Sequence, residues 1–273
     1  AYCCNVNGAP VRRAGIDRVI GELLAVRKTV PGIVGVNFQD DSFFTGSDEW
    51  MEQFCARMKG EVGLPFIVRM IPRYVTPARI RRLKEAGLEY VTMGLEASDR
   101  INKTVFNRHE TAAGFVRAAK TIVEAGIYLS IDVIIDNPYE TEEDLREIAL
   151  TLNALPRPHW GVVSLALTAF PGTDLHARMT RDGMISRLAT DPYGSMLISS
   201  RPGGYRTPRF WLLLNTQILR AVPPSAGARL IAAGPRDAQA AQMVERLAAQ
   251  MRLARRISAL TTAVAPWLRP LAG

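Results

Sequence analysis

Between residues 16 and 168, five helix-period segments alternate with five apolar runs of strand length, which predicts an α/β protein with parallel strands and right-handed crossovers. Several of those strands carry a polar face opposite an apolar one. Acidic, amide and hydroxyl residues gather just after the strands, at the end where βα barrels place their active sites. These observations favour a wide or incomplete barrel around a ligand. Solvated loops that happen to be acidic are the plainer alternative.

The first helix is expected over 16–29, followed by a strand over 33–39 in which Val34, Val36 and Phe38 oppose Asn37 and Gln39. A helix over 47–59 leads to a strand over 66–71, with Phe66, Val68 and Met70 opposite Arg69. The helix over 77–86 is well punctuated: Thr76 is an N-cap, Pro77 takes the first helical position and Gly87 follows the last turn. In the 90–96 strand, Val91, Met93 and Leu95 oppose Thr92, Gly94 and Glu96. A helix over 111–125 closes at Gly126, ahead of a strand over 128–136. There Leu129, Ile131, Val133 and Ile135 share the helix-facing side, and Ser130, Asp132, Ile134 and Asp136 the other. Thr141 followed by Glu142, Glu143 and Asp144 is a capping box for the helix over 142–154. The last strand of the pattern spans 161–168.

At 273 residues the chain buries enough surface to need no disulfide staple. Three cysteines, two of them adjacent, make a poor disulfide framework, and no secretory signal opens the chain, so a reducing, cytoplasmic setting is expected. Ala1 in place of an initiator methionine suggests a fragment or a processed chain. The net charge of +8 is unevenly placed. Residues 196–273 carry eleven arginines and no lysine against Asp237 and Glu245, a net of +9, whereas residues 1–195 are close to neutral. This composition shift divides the chain into a βα region, 1–195, and a basic helical C-terminal extension, 196–273.

Within the extension, residues 238–258 have helical periodicity. Ala240, Met243, Val244, Leu247, Met251 and Ala254 form a stripe from which Arg246, Arg252, Arg255 and Arg256 are largely excluded. The apolar stretches 210–222 and 257–268 fall short of the roughly 20 residues of a membrane span. With Trp211 and Trp267 the tail suits peripheral membrane contact, docking over an open barrel mouth, or simple packing on the barrel. Nucleic acid is a poor partner, because no aromatic residues interleave the basic ones.

Four stretches carry chemistry. The chain opens Ala1-Tyr2-Cys3-Cys4, an aromatic followed by a thiol. Phe38-Gln39-Asp40-Asp41-Ser42-Phe43 ends the first strand of the pattern and Gly94-Leu95-Glu96-Ala97-Ser98 the third. Asp132 to Leu145 reads apolar strand, Asp136-Asn137-Pro138, Glu140-Thr141, then acids, and Pro138 ends the strand because it cannot donate to a ladder. A further match lies in Ser164–Leu175, with its Pro171-Gly172-Thr173 exit turn. Taken together, residues 1–185 resemble the radical S-adenosylmethionine (SAM) superfamily, and most of all its members with an N-terminal cobalamin-binding domain.

The resemblance implies a partial (β/α)6 TIM-like barrel lacking its first strand, which would precede Ala1 together with two further cluster cysteines and any cobalamin domain. It makes Cys3 a thiolate ligand of a [4Fe–4S] cluster, with Tyr2 as the aromatic that precedes it, and SAM on the fourth iron; soft deprotonated sulfur suits that role. Asp40 or Asp41 would seat the SAM amino group, by position rather than identity, since many relatives have Gly-Gly-Glu there. Glu96 and Ser98 would approach the ribose and methionine moieties, Arg108 the SAM carboxylate, and Asp136 and Asn137 would complete the cofactor-binding set. Arg108 reads equally as a surface residue, and Asp40 and Asp41 equally as a turn before a helix. Cys55 lies on an apolar helix face and reads as core, His159 as a loop residue, and His176 as part of the helix after the exit turn.

The implied reaction is reductive cleavage of SAM to a 5′-deoxyadenosyl radical that abstracts substrate hydrogen, with methyl transfer through cobalamin in the most similar relatives. The electron would come from a flavodoxin or ferredoxin, and the substrate would be a small or lipid-like molecule. Without the upstream cysteines the fragment itself is expected to be inactive. Two rival readings stand: a methylthiotransferase-like radical enzyme acting on RNA or protein, and a non-catalytic βα-barrel binding domain.

Overall fold

The computed structural model describes residues 14–43, 47–157, 159–185 and 207–268, with side chains up to residue 254. Helix α1 (Ile16–Thr29) precedes a five-stranded parallel sheet of order β1-β2-β3-β4-β5. Its strands are β1 (Val36–Asn37), β2 (Phe66–Arg69), β3 (Leu88–Glu96), β4 (Tyr128–Ile135) and β5 (Trp160–Ala166). The crossovers run through α2 (Asp48–Arg57), α3 (Pro77–Glu85), α5 (Ala112–Glu124) and α6 (Glu142–Asn153), with the short α4 (Asp99–Thr104) between β3 and α5. This sequential all-parallel order is the sheet of a partial TIM-like barrel.

The caps fall where the sequence puts them. Thr76 and Thr141 accept hydrogen bonds from the N–H groups of Arg79 and Asp144, and Asp144 returns the second half of the capping box. The expected strand over 33–39 shrinks to two residues, because Val34 is 83% exposed and so has no core to enter. The backbone still follows β2 beyond it: Phe38 N–H donates to Ile67 O at 3.0 Å, and Phe43 N–H to Arg69 O at 2.9 Å. The expected helix over 47–59 ends instead in a π-helical turn, Met58–Val62, closed by Gly63 in the left-handed region (φ 63°).

The apolar strand faces build the core. Val68, Val91, Met93, Leu129, Ile131 and Val133 are buried beneath Phe54, Leu83, Phe115 and Ile148 of the crossover helices. On the opposite face the strands form layers. Ile67, Tyr90 and Tyr128 are in register, then Arg69, Thr92, Ser130 and Gly161, then Gly94, Asp132 and Val163. This second face lines the lumen.

After α7 (Asp174–Arg181), the C-terminal helices complete the same core. Helix α8 (Arg209–Leu213) and the π turn Leu214–Ile218 pack on β5 and α6, α9 (Pro224–Ala233) on α6, and α10 (Ala238–Leu268) on α8. Trp211, Leu214 and Ile218 are fully buried. Arg157 Nε donates to Leu219 O at 2.7 Å, Asn153 Nδ2 to Pro224 O at 3.1 Å, and the Arg146 guanidinium stacks over the Trp211 ring. The inner line of α10 is Ala240, Val244 and Ala248, whereas Met243 faces solvent, so the expected stripe is rotated toward the residue-248 side. The composition boundary at 195/196 and the Trp267 side chain lie outside the described residues. No described helix is long and apolar enough to cross a membrane.

Candidate active site

The lumen mouth is organised by the end of β3. Glu96 sits in the left-handed region (φ 64°), which costs a non-glycine residue roughly 1 kcal/mol or more and persists only where neighbours enforce it. Ala97 N–H closes a three-residue turn onto Leu95 O at 2.9 Å. The buried Asn102 carboxamide then donates to both Leu95 O and Ala97 O, at 3.1 and 3.0 Å. This turn folds the Glu96 side chain back over Gly94. A Cβ at residue 94 would lie 2.0 Å from Glu96 Oε1, so the glycine is what makes room for the carboxylate.

Arg108 reaches the same point from the segment after α4. It donates to Gly94 O at 2.8 Å, and its guanidinium lies 3.6 Å from Glu96 Oε1 on one side and 3.6 Å from Glu110 on the other. Arg73 Nε donates to Glu110 at 2.6 Å. Charges thus alternate Glu96, Arg108, Glu110, Arg73 from the mouth outward. Arg108 Nε is buried, faces Glu110 at 3.6 Å and makes no hydrogen bond among the described residues.

Ser98, adjacent in sequence, does other work. Its hydroxyl donates to Asp144 Oδ1 at 2.6 Å and accepts from Ile101 N–H to cap α4, and the residue is 1% exposed. Asp144 also accepts from Arg100 Nε at 3.0 Å and from the N–H and hydroxyl of Thr141, both at 2.8 Å. Burial would raise its carboxyl, but the hydrogen bonds from Arg100, Ser98 and Thr141 outweigh that and hold it below the usual carboxylate range. Asp144 therefore ties the loop after β3 to α6. In the sequence Asp144 is legible only as a cap and Asn102 and Glu110 carry no signal, although the Ser98-Asp99 helix start marks α4.

The end of β4 is built alike and used differently. Asp136 is also left-handed (φ 61°), but its carboxylate accepts from Thr207 N–H at 3.1 Å, and its own N–H donates to Thr207 Oγ1 at 2.8 Å. Both residues are buried, so this reciprocal pair anchors the C-terminal segment. Asn137 Oδ1 accepts from Tyr139 N–H at 3.0 Å, while its Nδ2 is buried without a hydrogen-bond partner among the described residues. It borders a cavity of about 440 Å³ shared with Glu140, Leu145, Met184 and Thr207. Burial, with the nearby charges of Asp144 and Asp136, pushes Glu140 up to about 8.

Asp40 and Asp41 are exposed on the segment that follows β1 beside the end of β2. Of the predicted site residues, the structure brings together Glu96 and Arg108, and directs Ser98 and Asp136 into internal contacts. Tyr2 and Cys3 lie outside the described residues. Cys55 is buried in α2, where desolvation pushes its thiol up to about 11, which is unsuited to a thiolate ligand. Among the described residues, no cluster of His, Cys, Asp and Glu could hold a metal. For SAM the donor set fits: a carboxylate and a guanidinium at the lumen mouth match its hydroxyl and amino-acid groups.

A profile of the radical SAM superfamily matches residues 1–152. No curated protein sequence matches the chain. Among solved structures, the cobalamin- and [4Fe–4S]-bound radical SAM methyltransferase TsrM from Kitasatospora setae superposes with TM-score 0.53 and 17% identity, over 62% of this chain and 32% of that one. The cobalamin-dependent SAM radical enzyme OxsB superposes with TM-score 0.50 and 17% identity, over 57% of this chain and 25% of that one. The matched part thus spans about a third of TsrM and a quarter of OxsB.

Proposed function

Because the chain belongs to the radical SAM superfamily, a family that implies a [4Fe–4S] cluster and SAM, we propose that it is the barrel core of a cobalamin-dependent, methyltransferase-type radical SAM enzyme. When bound, the cluster and SAM supply a radical able to activate a C–H bond. The chain's own residues then bind, orient and exclude water. Glu96 accepts hydrogen bonds from SAM hydroxyls, Arg108 faces the SAM carboxylate, and Asp40 or Asp41 receives its amino group. Cys3, with Tyr2 beside it, supplies one cluster thiolate. Asn102 holds the Glu96 turn, Ser98 and Asp144 tie the loop after β3 to α6, and Asp136 with Asn137 holds the rim of β4.

The observation that carries this reading is the Glu96–Arg108 pair folded over Gly94. Three cluster thiolates cannot come from this chain, since Cys3 and Cys4 are adjacent and Cys55 is buried in core, so the chain alone is inactive. Cobalamin would sit in a further domain, and an electron donor such as a flavodoxin or ferredoxin would reduce the cluster. The arginine-rich tail offers a surface for peripheral contact with an anionic membrane.

The test is anaerobic reconstitution of the gene product that carries this chain, followed by reduction and assay for SAM cleavage. Wild type should bind about four irons and cleave SAM, Glu96→Gln should keep the iron and lose at least tenfold in cleavage, and Cys3→Ala should lose the cluster. A wild type that takes up no iron and leaves SAM intact refutes the reading.

A further inference from the structure

The chain of charges that begins at Glu96 leaves the mouth and ends in a groove on the outside of the barrel. This groove lies between α5 and the 3₁₀ turn Pro72–Tyr74 that packs on it, and it encloses about 670 Å³. Arg73, Arg117 and Lys120 line it, with Glu110 at its inner end and Glu124 at the foot of α5. Glu110 is already engaged between Arg73 and Arg108. Among the described residues, the exposed Arg117 and Lys120 side chains make no hydrogen bond or ion pair. Glu124, one turn past Lys120, offsets one charge at the far end, which leaves the Arg73 and Arg117 end positive. The first turn of α5 adds little, because Ala112 N–H donates to Asp99 and Gly114 N–H to Thr111 Oγ1. An anion here is held by side chains.

The groove and the mouth share Glu110. Its side chain is 9% exposed, whereas that of Arg73, which reaches it from the groove, is 54% exposed. Arg108 stands between two carboxylates at one distance, since Glu96 and Glu110 each lie 3.6 Å from its guanidinium. Its position therefore depends on how strongly each carboxylate draws on it, and Arg73 satisfies Glu110 from outside. An anion in the groove competes with Glu110 for Arg73. Glu110, buried and short of counter-charge, then draws Arg108 outward and away from Glu96. The drive is the cost of leaving a buried carboxylate poorly paired.

We propose that the groove is a regulatory site for phosphate, free or as a small monoester, and that its occupation weakens SAM binding at the mouth. The coupling rests on the reading of Glu96 and Arg108 as SAM contacts given above. Arg73 and Arg117 offer paired donors and Lys120 a point charge, a set that matches the charge and the acceptor oxygens of a phosphate dianion. The volume admits a small ester, with Val75 as an apolar flank for its organic part. Linkage is reciprocal, so SAM weakens phosphate binding by the factor that phosphate weakens SAM.

The experiment is isothermal titration of the reconstituted gene product that carries this chain, with inorganic phosphate and with phenyl phosphate, against chloride at matched ionic strength. At least one should bind saturably, and the tighter of the two identifies the form that the groove takes. Replacing the exposed pair together, Arg117→Gln with Lys120→Gln, should weaken that binding at least tenfold. SAM affinity should fall at least threefold at saturating phosphate. Arg73→Gln should bring the same loss without phosphate, whereas Glu110→Gln should bind SAM no more weakly than wild type and ignore phosphate. Absence of saturable binding, or binding that the paired variant leaves intact, overturns the site. Equal SAM affinity in phosphate and chloride, or a Glu110→Gln variant that still responds to phosphate, overturns the coupling. A protein that binds no SAM under either condition sinks the reading of the mouth, while the phosphate titration still judges the groove.

Discussion

Glu140 is a carboxylic acid placed where its charged form is disfavoured, and replacing it with glutamine tests that placement directly. Among the described residues its Oε1 is buried with no hydrogen-bond partner, and Asp144 and Asp136 add negative charge nearby. Raising the group from an ordinary 4.5 to about 8 corresponds to ~5 kcal/mol at full ionisation, at about 1.4 kcal/mol per pH unit. Between these two values the folded protein holds a proton that the unfolded chain has released. Stability therefore falls as pH rises through that window and levels off above it. The cost is close to nil at pH 4, roughly 3 kcal/mol at pH 7 and approaches its ceiling at pH 9. Glu140→Gln keeps the shape and removes the ionisation. Urea unfolding followed by circular dichroism at pH 5, 7 and 9 should show the variant gaining on wild type with each step. Parallel pH profiles for the two proteins would mean that Glu140 ionises normally, and the reasoning from burial would fail.

Other perturbations address the supports of the mouth. Gly94→Ala should leave the unfolding midpoint within a few degrees of wild type, because the clashing atom is the tip of a flexible side chain, yet weaken SAM binding at least tenfold by calorimetry as Glu96 is pushed off Arg108. Thr207→Val should cost about 2 kcal/mol in urea unfolding, since it removes the hydroxyl that pairs with the backbone of buried Asp136, and should speed proteolysis of the C-terminal segment. Asp144→Ala should cost about 3 kcal/mol by the same measurement, from a buried carboxylate whose hydrogen bonds span the loop after β3 and α6. Because the Asp144 carboxyl is held below the usual range, its stabilisation is present above about pH 4 and lost as pH falls toward its folded value. Acid unfolding of wild type should accordingly be steeper than that of Asp144→Asn.

Periodicity and capping chemistry make most of the barrel legible in the sequence. Thr76-Pro77 and Thr141 to Asp144 locate helix starts to the residue, because a cap is a local hydrogen bond and needs no tertiary information. Strand faces are legible for β2 to β4 for the same reason: alternation is a property of the chain. What alternation cannot reveal is how much of a strand finds a neighbour, and Val34, apolar but exposed, is the result. At the site, the residue types are visible and their partners are not. Nothing in Gly94-Leu95-Glu96 discloses that Asn102 will pin the turn or that Arg108 will arrive over Gly94, because those contacts depend on how α4 folds back. Asp136 illustrates the limit most sharply, since its partner, Thr207, is 71 residues away.

The ends of β3 and β4 make one design used for two purposes. Each places an acidic residue in a left-handed conformation at the same end of a neighbouring strand. In one, a glycine two residues earlier lets the carboxylate fold inward against Arg108. In the other, the residue two earlier is Ile134, buried with Leu167 and Leu175, which leaves no such space; the carboxylate is held instead by Thr207. Adjacent strand ends thereby separate ligand contact from closure of the barrel by its own C-terminal helices. The separation is physical only if the two can be broken independently. Gly94→Ala should impair SAM binding with the tail still protected from protease, and Thr207→Val should loosen the tail while SAM affinity stays within threefold. If loosening the tail abolished SAM binding as fully as displacing Glu96, the mouth and the tail would be one cooperative unit, and the division of labour between the two strand ends would be wrong.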